Sequence, residues 1–254
     1  MKPKPKLLFL VGLIALLGLS CTRSKTSAEL RDKSGVSKAS AGDFAGAIQE
    51  FNIAIQLDPK NPVYFCDLGL AKDSQGDHLG AIDEYNTSIS LDANIPELYY
   101  NRGNSKRELG NFTDASVDYS KAISLRPNYV EALANRAGIE FTLKDYQGAI
   151  TDSSKAIQLN PKYYLALNLR GLTKMALKNP TEALDDFTSS IALNPNFADT
   201  YFYRTQSKIQ LKDYSGALAD CQKAQASNPT DPELKADILA ALKALKDETS
   251  KGKN

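Results

Sequence analysis

The residue types that ordinarily do chemistry are scarce in this chain and scattered along it. Among 254 residues there is one histidine, His78, and there are three cysteines, Cys21, Cys66 and Cys221. A group-transfer site needs a nucleophile, a base and a group that orients the base, and a metal site needs a cluster of ligands. His78 reads as a turn-packing residue rather than a base. Its place recurs every 34 residues and is held elsewhere by Phe44, Phe112, Tyr146, Pro180 and Tyr214. Cys66 and Cys221 lie more than four such intervals apart, too far for a disulfide or a shared metal in a stacked repeat. Cys221 falls in a column of core aromatics and reads as a small buried hydrophobe. No glycine-rich phosphate loop is present, and the acids are spread by the repeat rather than paired. These observations predict no enzyme, no metal, no cofactor and no small-molecule substrate. A net charge of +1 leaves no basic excess to neutralise phosphates, which disfavours nucleic acid as a partner.

Side chains that bind rather than react are more frequent. Asn101, Asn104, Asn135 and Asn168 recur at similar places, and an asparagine amide can meet both the N–H and the C=O of an extended peptide. They sit in a unit best seen from Pro96 to Tyr129. Apolar residues there fall at helical spacing, break at Gly110-Asn111, and resume from Phe112 to Leu125. The unit therefore predicts a helical hairpin. Ala47, Ala81, Ala115, Ala149, Ala183 and Ala217 repeat its small position at a strict interval of 34. Pro59, Pro127, Pro161, Pro195 and Pro229 share the period, with Ala93 in the gap.

A large residue, Leu-Gly, Ala, an aromatic and a closing Pro form the pattern of the tetratricopeptide repeat. The second unit holds Phe65, Leu68-Gly69, Ala81, Tyr85 and Ala93 in those places. The chain resembles that family from Ala28 to Asp231. Trp is absent, Arg102, Arg136, Arg170 and Arg204 replace the Leu, and Ser153 and Cys221 replace the aromatic. The resemblance implies an all-α fold: a right-handed α-solenoid of six hairpins (28–61, 62–95, 96–129, 130–163, 164–197 and 198–231). A capping helix over 232–246, with Leu234, Ile238, Leu242 and Leu245 as its apolar stripe, and a disordered tail over 247–254 would follow. It also implies a concave peptide-binding groove. Carried over residue by residue, that groove comprises Tyr100, Asn101, Asn104, Arg107, Asn135, Phe141, Asn168, Leu172, Phe202, Tyr203 and Gln206. The carboxylate clamp of chaperone-tail adaptors is not matched, since its places hold Tyr100, Asn104, Asn135, Leu165 and Leu169. Asp32, Asp67, Asp73, Glu97 and Glu108 among the groove places favour a neutral or basic segment for the N-terminal half.

The N-terminus carries a different message. Lys2, Lys4 and Lys6 precede an apolar run from Leu7 to Leu19, too short to span a bilayer comfortably but suited to a secretory signal. Cys21 follows Gly18-Leu19-Ser20 at once. This is similar to a bacterial lipoprotein signal over 1–20, cleaved before Cys21, which would then carry lipid. An ordinary signal peptide or a short uncleaved anchor is the alternative. Removing 1–20 takes away three lysines and no acid, moving the net charge from +1 to −2. Residues 21–27 read as a short tether.

Two charge ladders run through the repeats. Arg102, Arg136, Arg170 and Arg204 keep step with Asp118, Asp152, Asp186 and Asp220, each sixteen residues on. Either the arginines form an anion-binding stripe, or each ties its hairpin to itself or to a neighbour; matched periodicity in both signs favours ties, of about 0–1 kcal/mol each if half-exposed. The sequence thus predicts a non-enzymatic, membrane-anchored scaffold of the bacterial envelope, outer membrane rather than inner, that binds a protein or peptide partner. A pilotin-like assembly factor for an outer-membrane complex and an adaptor for envelope hydrolases are the alternatives.

Overall fold

The computed structural model describes residues 25–227 and 229–251, and all regular structure among them is helical. The expected signal, Cys21 and residues 22–24 of the tether lie outside the described residues. Helix α1 covers residues 25–40, so residues 25–27 are helical rather than part of a flexible link. There follow α2 (Phe44–Leu57), α3 (Pro62–Ser74), α4 (His78–Leu91), α5 (Pro96–Glu108) and α6 (Phe112–Leu125). The chain then continues through α7 (Val130–Thr142), α8 (Tyr146–Leu159), α9 (Tyr164–Ala176) and α10 (Pro180–Leu193). Last come α11 (Ala198–Gln210), α12 (Tyr214–Ala226) and α13 (Pro232–Lys251). The closing helix outlasts the expected end at 246, because nothing between 247 and 251 breaks a helix. The chain divides into two compact units, Met1–Leu125 and Arg126–Asn254. In each, every helix packs on the next to form hairpins that stack on one another.

Local chemistry sets the helix ends. Asp43, Asp77, Asp145 and Asp213 cap α2, α4, α8 and α12 by accepting a bond from the N–H three residues on. The turns before them need one left-handed residue. Gly42, Gly76 and Gly110 supply it in the first three hairpins, and Lys144, Lys178 and Lys212 are held there in the last three.

Each hairpin closes on a ring against a glycine. The ring of Phe51 lies on Gly35, Tyr85 on Gly69, Tyr119 on Gly103 and Phe187 on Gly171; a Cβ at any of these glycines would meet ring carbon at 2.5, 2.6, 2.9 and 2.6 Å respectively. Where the ring is missing the glycine is missing too. Ser153 faces the fourth hairpin with Ala137 in the glycine place, and Cys221 faces the sixth with Thr205. All four of these smaller residues are buried. The two columns thus change together: a ring is matched by glycine, a smaller residue by alanine or threonine. The alanine column closes the same contact, with Ala47, Ala81, Ala115, Ala149, Ala183 and Ala217 all fully buried. At the end of the chain Ile238, Leu242 and Leu245 of α13 cover Ala217, Cys221 and Ala224.

The charge ladders are ties, and they are more buried than the sequence suggests. Arg102 grips Asp118 with two bonds of 2.9 and 2.6 Å, and Arg136, Arg170 and Arg204 grip Asp152, Asp186 and Asp220 in the same forked way. The aspartates are no more than 5% exposed, so removing one partner costs about 3–5 kcal/mol rather than the small value of a surface pair. A third nitrogen reaches the preceding hairpin: Arg102 to Asn86, Arg170 to Ser154 and Arg204 to Thr188. Lys106, Lys174 and Lys208 add a second cation to Asp118, Asp186 and Asp220 at 2.7–2.8 Å. In the first two hairpins Lys38 and Lys72 reach Glu50 and Glu84 instead.

The fourth hairpin breaks this ladder. Glu140 stands in the lysine place, its Oε2 is buried without a hydrogen-bond partner, and Arg136 Nε is 3.7 Å from its other oxygen. Burial, then the charge of Asp152, pushes the Glu140 carboxyl from 4.5 to about 7. The native chain therefore holds a proton that the unfolded chain releases, and this group's contribution to stability declines as pH rises from about 4.5 to about 7.

Two outcomes are expected in urea unfolding. Gly171→Ala costs about 1–3 kcal/mol in the wild-type chain and clearly less on a Phe187→Ser background, which copies the alanine–serine pair of the fourth hairpin. Glu140→Gln raises stability by about 1–2 kcal/mol at pH 8 and leaves it nearly unchanged at pH 5; equal effects at both pH values would show that the carboxyl is ionised throughout.

Candidate peptide-binding face

In the first unit α3 and α5 lie side by side and present one face. Asn101, Asn104, Ser105 and Glu108 of α5, with Leu70, Asp73 and Ser74 of α3 and His78 at the start of α4, line a cavity of about 300 Å³. A second cavity of about 160 Å³ adjoins it, sharing Leu70 and Ser74 and walled further by Val36, Ala39, Phe51, Asp67 and Ala71. Polar groups are pinned around the first. Asp73 accepts hydrogen bonds from Tyr85 Oη at 2.9 Å and Ser105 Oγ at 2.7 Å, and its other oxygen lies 3.0 Å from His78 Nδ1. Burial and the adjacent Asp73 push the Tyr85 phenol up, so it stays a donor. Asn104 accepts from Tyr119 Oη at 2.7 Å, which fixes its amide plane.

The four expected groove residues of this unit are thus on one helix but differ in role. Asn101 and Asn104 line the cavity. Tyr100 leans on the Tyr119 ring at 5.9 Å, and Arg107 is paired with the neighbouring Glu108 at 2.6 Å. His78 does more than the sequence suggests. It packs at a turn as expected, but it also forms one wall of the cavity, and its position five residues after Asp73, across a turn, is the feature that places the two together. Ser105 was missed because nothing in its type or spacing marks it.

In the second unit α7, α9 and α11 stand side by side. Asn168 is a correction: it is buried, and its amide forms two bonds with Thr200, at 2.8 and 3.0 Å. It joins α9 to α11 and offers nothing to a ligand. Phe202 is a second correction, since it packs into the cluster beneath α13 instead of standing free as an aromatic anchor. Tyr203 rests on Phe187 and Phe141 on Tyr146, with centroids 5.9 and 5.8 Å apart. Leu172 and Asn135 are half-buried and Gln206 is exposed.

No group of three His, Cys, Asp or Glu that could hold a metal is found among the described residues, and no described helix is long and apolar enough to cross a membrane. Burial, then Asp67, pushes the Cys66 thiol up to about 12, and burial, then Asp220, pushes Cys221 up to about 11.

With this geometry in view, comparison with known proteins becomes informative. Tetratricopeptide repeat models match residues 96–129 and 130–163. Residues 96–163 are thus tetratricopeptide repeats. Members of this family are in general non-enzymatic scaffolds for protein or peptide partners. No curated protein matches the chain. Among solved structures it is similar to PilF of Pseudomonas aeruginosa, at 14% identity and a TM-score of 0.74, over 85% of this chain and 98% of that one. It is also similar to PilW, described as a type IV pilus biogenesis factor, at 17% identity and a TM-score of 0.73, over 83% and 98%. YrrB, described as having an unusual peptide-binding site, matches at 19% identity and a TM-score of 0.61, over 75% and 97%. These likenesses show the α-solenoid fold of the tetratricopeptide repeat.

Neither described thiol should behave as a nucleophile. Peptide mapping after iodoacetamide treatment at pH 7.5 should find Cys66 and Cys221 alkylated more than about 100-fold more slowly than a free thiol, and Asp67→Asn should speed Cys66.

Proposed function

We propose that this tetratricopeptide repeat protein is a non-enzymatic scaffold that takes a peptide segment of a protein partner on the α3–α5 face. The observation that carries this reading is the 300 Å³ cavity. Amides from Asn101 and Asn104 stand beside the apolar side chain of Leu70, with Asp73 and Ser105 fixing the wall between them. An extended segment needs backbone partners and a place for one apolar side chain, and this face offers both. The hairpins hold it in place beforehand, so binding orders the ligand and not the receptor. YrrB, with the same fold and a peptide-binding site, supports the reading by analogy.

The pattern of Lys2 to Lys6, the apolar run and Cys21 supports a lipid on Cys21 and a place on a bacterial membrane, the outer membrane before the inner. A second reading is an assembly factor for an outer-membrane complex. It is favoured by the fold likeness to PilF and PilW, which takes in 98% of each.

Peptides selected from a displayed random library against the full chain should include binders that lose at least 10-fold in affinity on Leu70→Arg and on Asn101→Arg, with the helical spectrum and melting unchanged. Leu70 is 42% exposed, so an arginine there blocks the face without entering the core. Binders indifferent to both changes would remove this face from the proposal.

A further inference from the structure

The smaller cavity beside this face, between α1 and α3, has an apolar floor and carboxyls that no cation answers. Val36, Ala39, Leu70 and Ala71 form its floor, and Asp67 stands in its wall. Asp67 is hydrogen-bonded to Asp32 of α1. The Oδ1 of Asp32 is buried and has no hydrogen-bond partner. Among the described residues no lysine, arginine or histidine forms an ion pair with either acid. The cations of α1 and α3 are drawn elsewhere: Arg31 and Lys38 go to Glu50, and Lys72 goes to Glu84. Lys33 acts on Asp32 only at a distance; Tyr64 is the other ionisable group that faces Asp32, and Cys66 and Tyr85 are those that face Asp67. The groove continues past Asp73 to Glu108, which adds two further carboxylates to this face.

We propose that the α1–α3 end of this face is the seat of a lysine or arginine side chain of the bound segment, its head between the carboxyls of Asp32 and Asp67 and its stem across Val36, Ala39 and Leu70. The partner is thus a basic, extended protein segment. The proposal rests on the peptide-binding reading above and adds the class of ligand. A long cationic side chain suits the place because its methylenes cover apolar surface while its head meets charge. The cavity holds about 160 Å³, enough for such a stem and too little for a second chain.

A proton links the two states. Burial, then the charge of Asp32, pushes the Asp67 carboxyl up to about 7, so the empty pair shares one proton at mildly acid pH. When the ligand's cation enters, the Asp67 O–H bond breaks, its proton passes to buffer, and the ligand's charge takes its place. Uptake of one basic side chain therefore releases close to one proton at pH 6 and almost none at pH 8.5.

The test uses the full chain and the library peptides blocked by Leu70→Arg. These should be enriched in lysine or arginine. Replacing that residue by norleucine should weaken binding at least 10-fold to the wild type and less than 2-fold to Asp32→Asn/Asp67→Asn. Calorimetry at pH 6 in buffers of different ionisation enthalpy should count about one proton released to the wild type and none with the double variant; Asp67→Asn alone, which keeps shape, should give the same loss of proton release. Face-binding peptides that lack a basic residue, or that tolerate norleucine, would overturn the basic ligand and leave the peptide-binding reading standing. Failure to obtain any peptide blocked by Leu70→Arg would overturn both.

Discussion

The contact between the two helices of a hairpin constrains everything else. A ring from the second helix lies flat on a residue of the first that can have no side chain, as with Tyr85 on Gly69 and Phe187 on Gly171. Interiors are packed to the density of crystals, so few pairs of residues fit that contact. Glycine with a ring is one such pair; alanine with Ser153 and threonine with Cys221 are the others. Because the fully buried alanine column recurs in every hairpin beside these pairs, the two helices meet at the same place in each, and a regular stack follows. A residue on an inner face such as Asn101 owes its position to this spacing more than to its own neighbours.

Charge is laid on this frame in a way that shapes the binding face. Lys38, Lys72, Lys106 and Arg102 turn between the helices toward Glu50, Glu84 and Asp118. Buried carboxylates of this kind are tolerable only when forked arginine or paired lysine answers them. The cations are thereby spent in holding hairpins together. The carboxyls of the inner face, Asp32 and Asp67 above all, are left with each other. A structural requirement in one layer thus sets the electrostatic preference of another. Glu140 shows the converse, since burial and the nearby Asp152 make a carboxyl in a lysine's place hold its proton up to about pH 7.

The face itself is a product of small, unshowy residues. Asp73 holds Tyr85, Ser105 and His78 together, and these three come from the second turn of α4, from α5 and from the first residue of α4. Such a network stiffens the wall of the cavity. Burial also keeps the two described thiols protonated at neutral pH.

The repeat, the hairpins, the matched arginine and aspartate columns and the apolar stripe of α13 were all legible in the sequence. Each is periodic, and a period of 34 residues imposes the same neighbours on every copy. What periodicity could not reveal is which copy departs from the rule. Asn168 and Asn101 hold neighbouring places in the pattern, yet Thr200 buries one and the cavity exposes the other. Phe202 looks like a free aromatic until the α12 and α13 cluster takes it up as a half-buried neighbour. The sequence by itself determined the architecture, because stacking needs only near neighbours along the chain. Only the tertiary structure decided which side chains of the inner face remain open to a partner, because that depends on what the next helix places above each one.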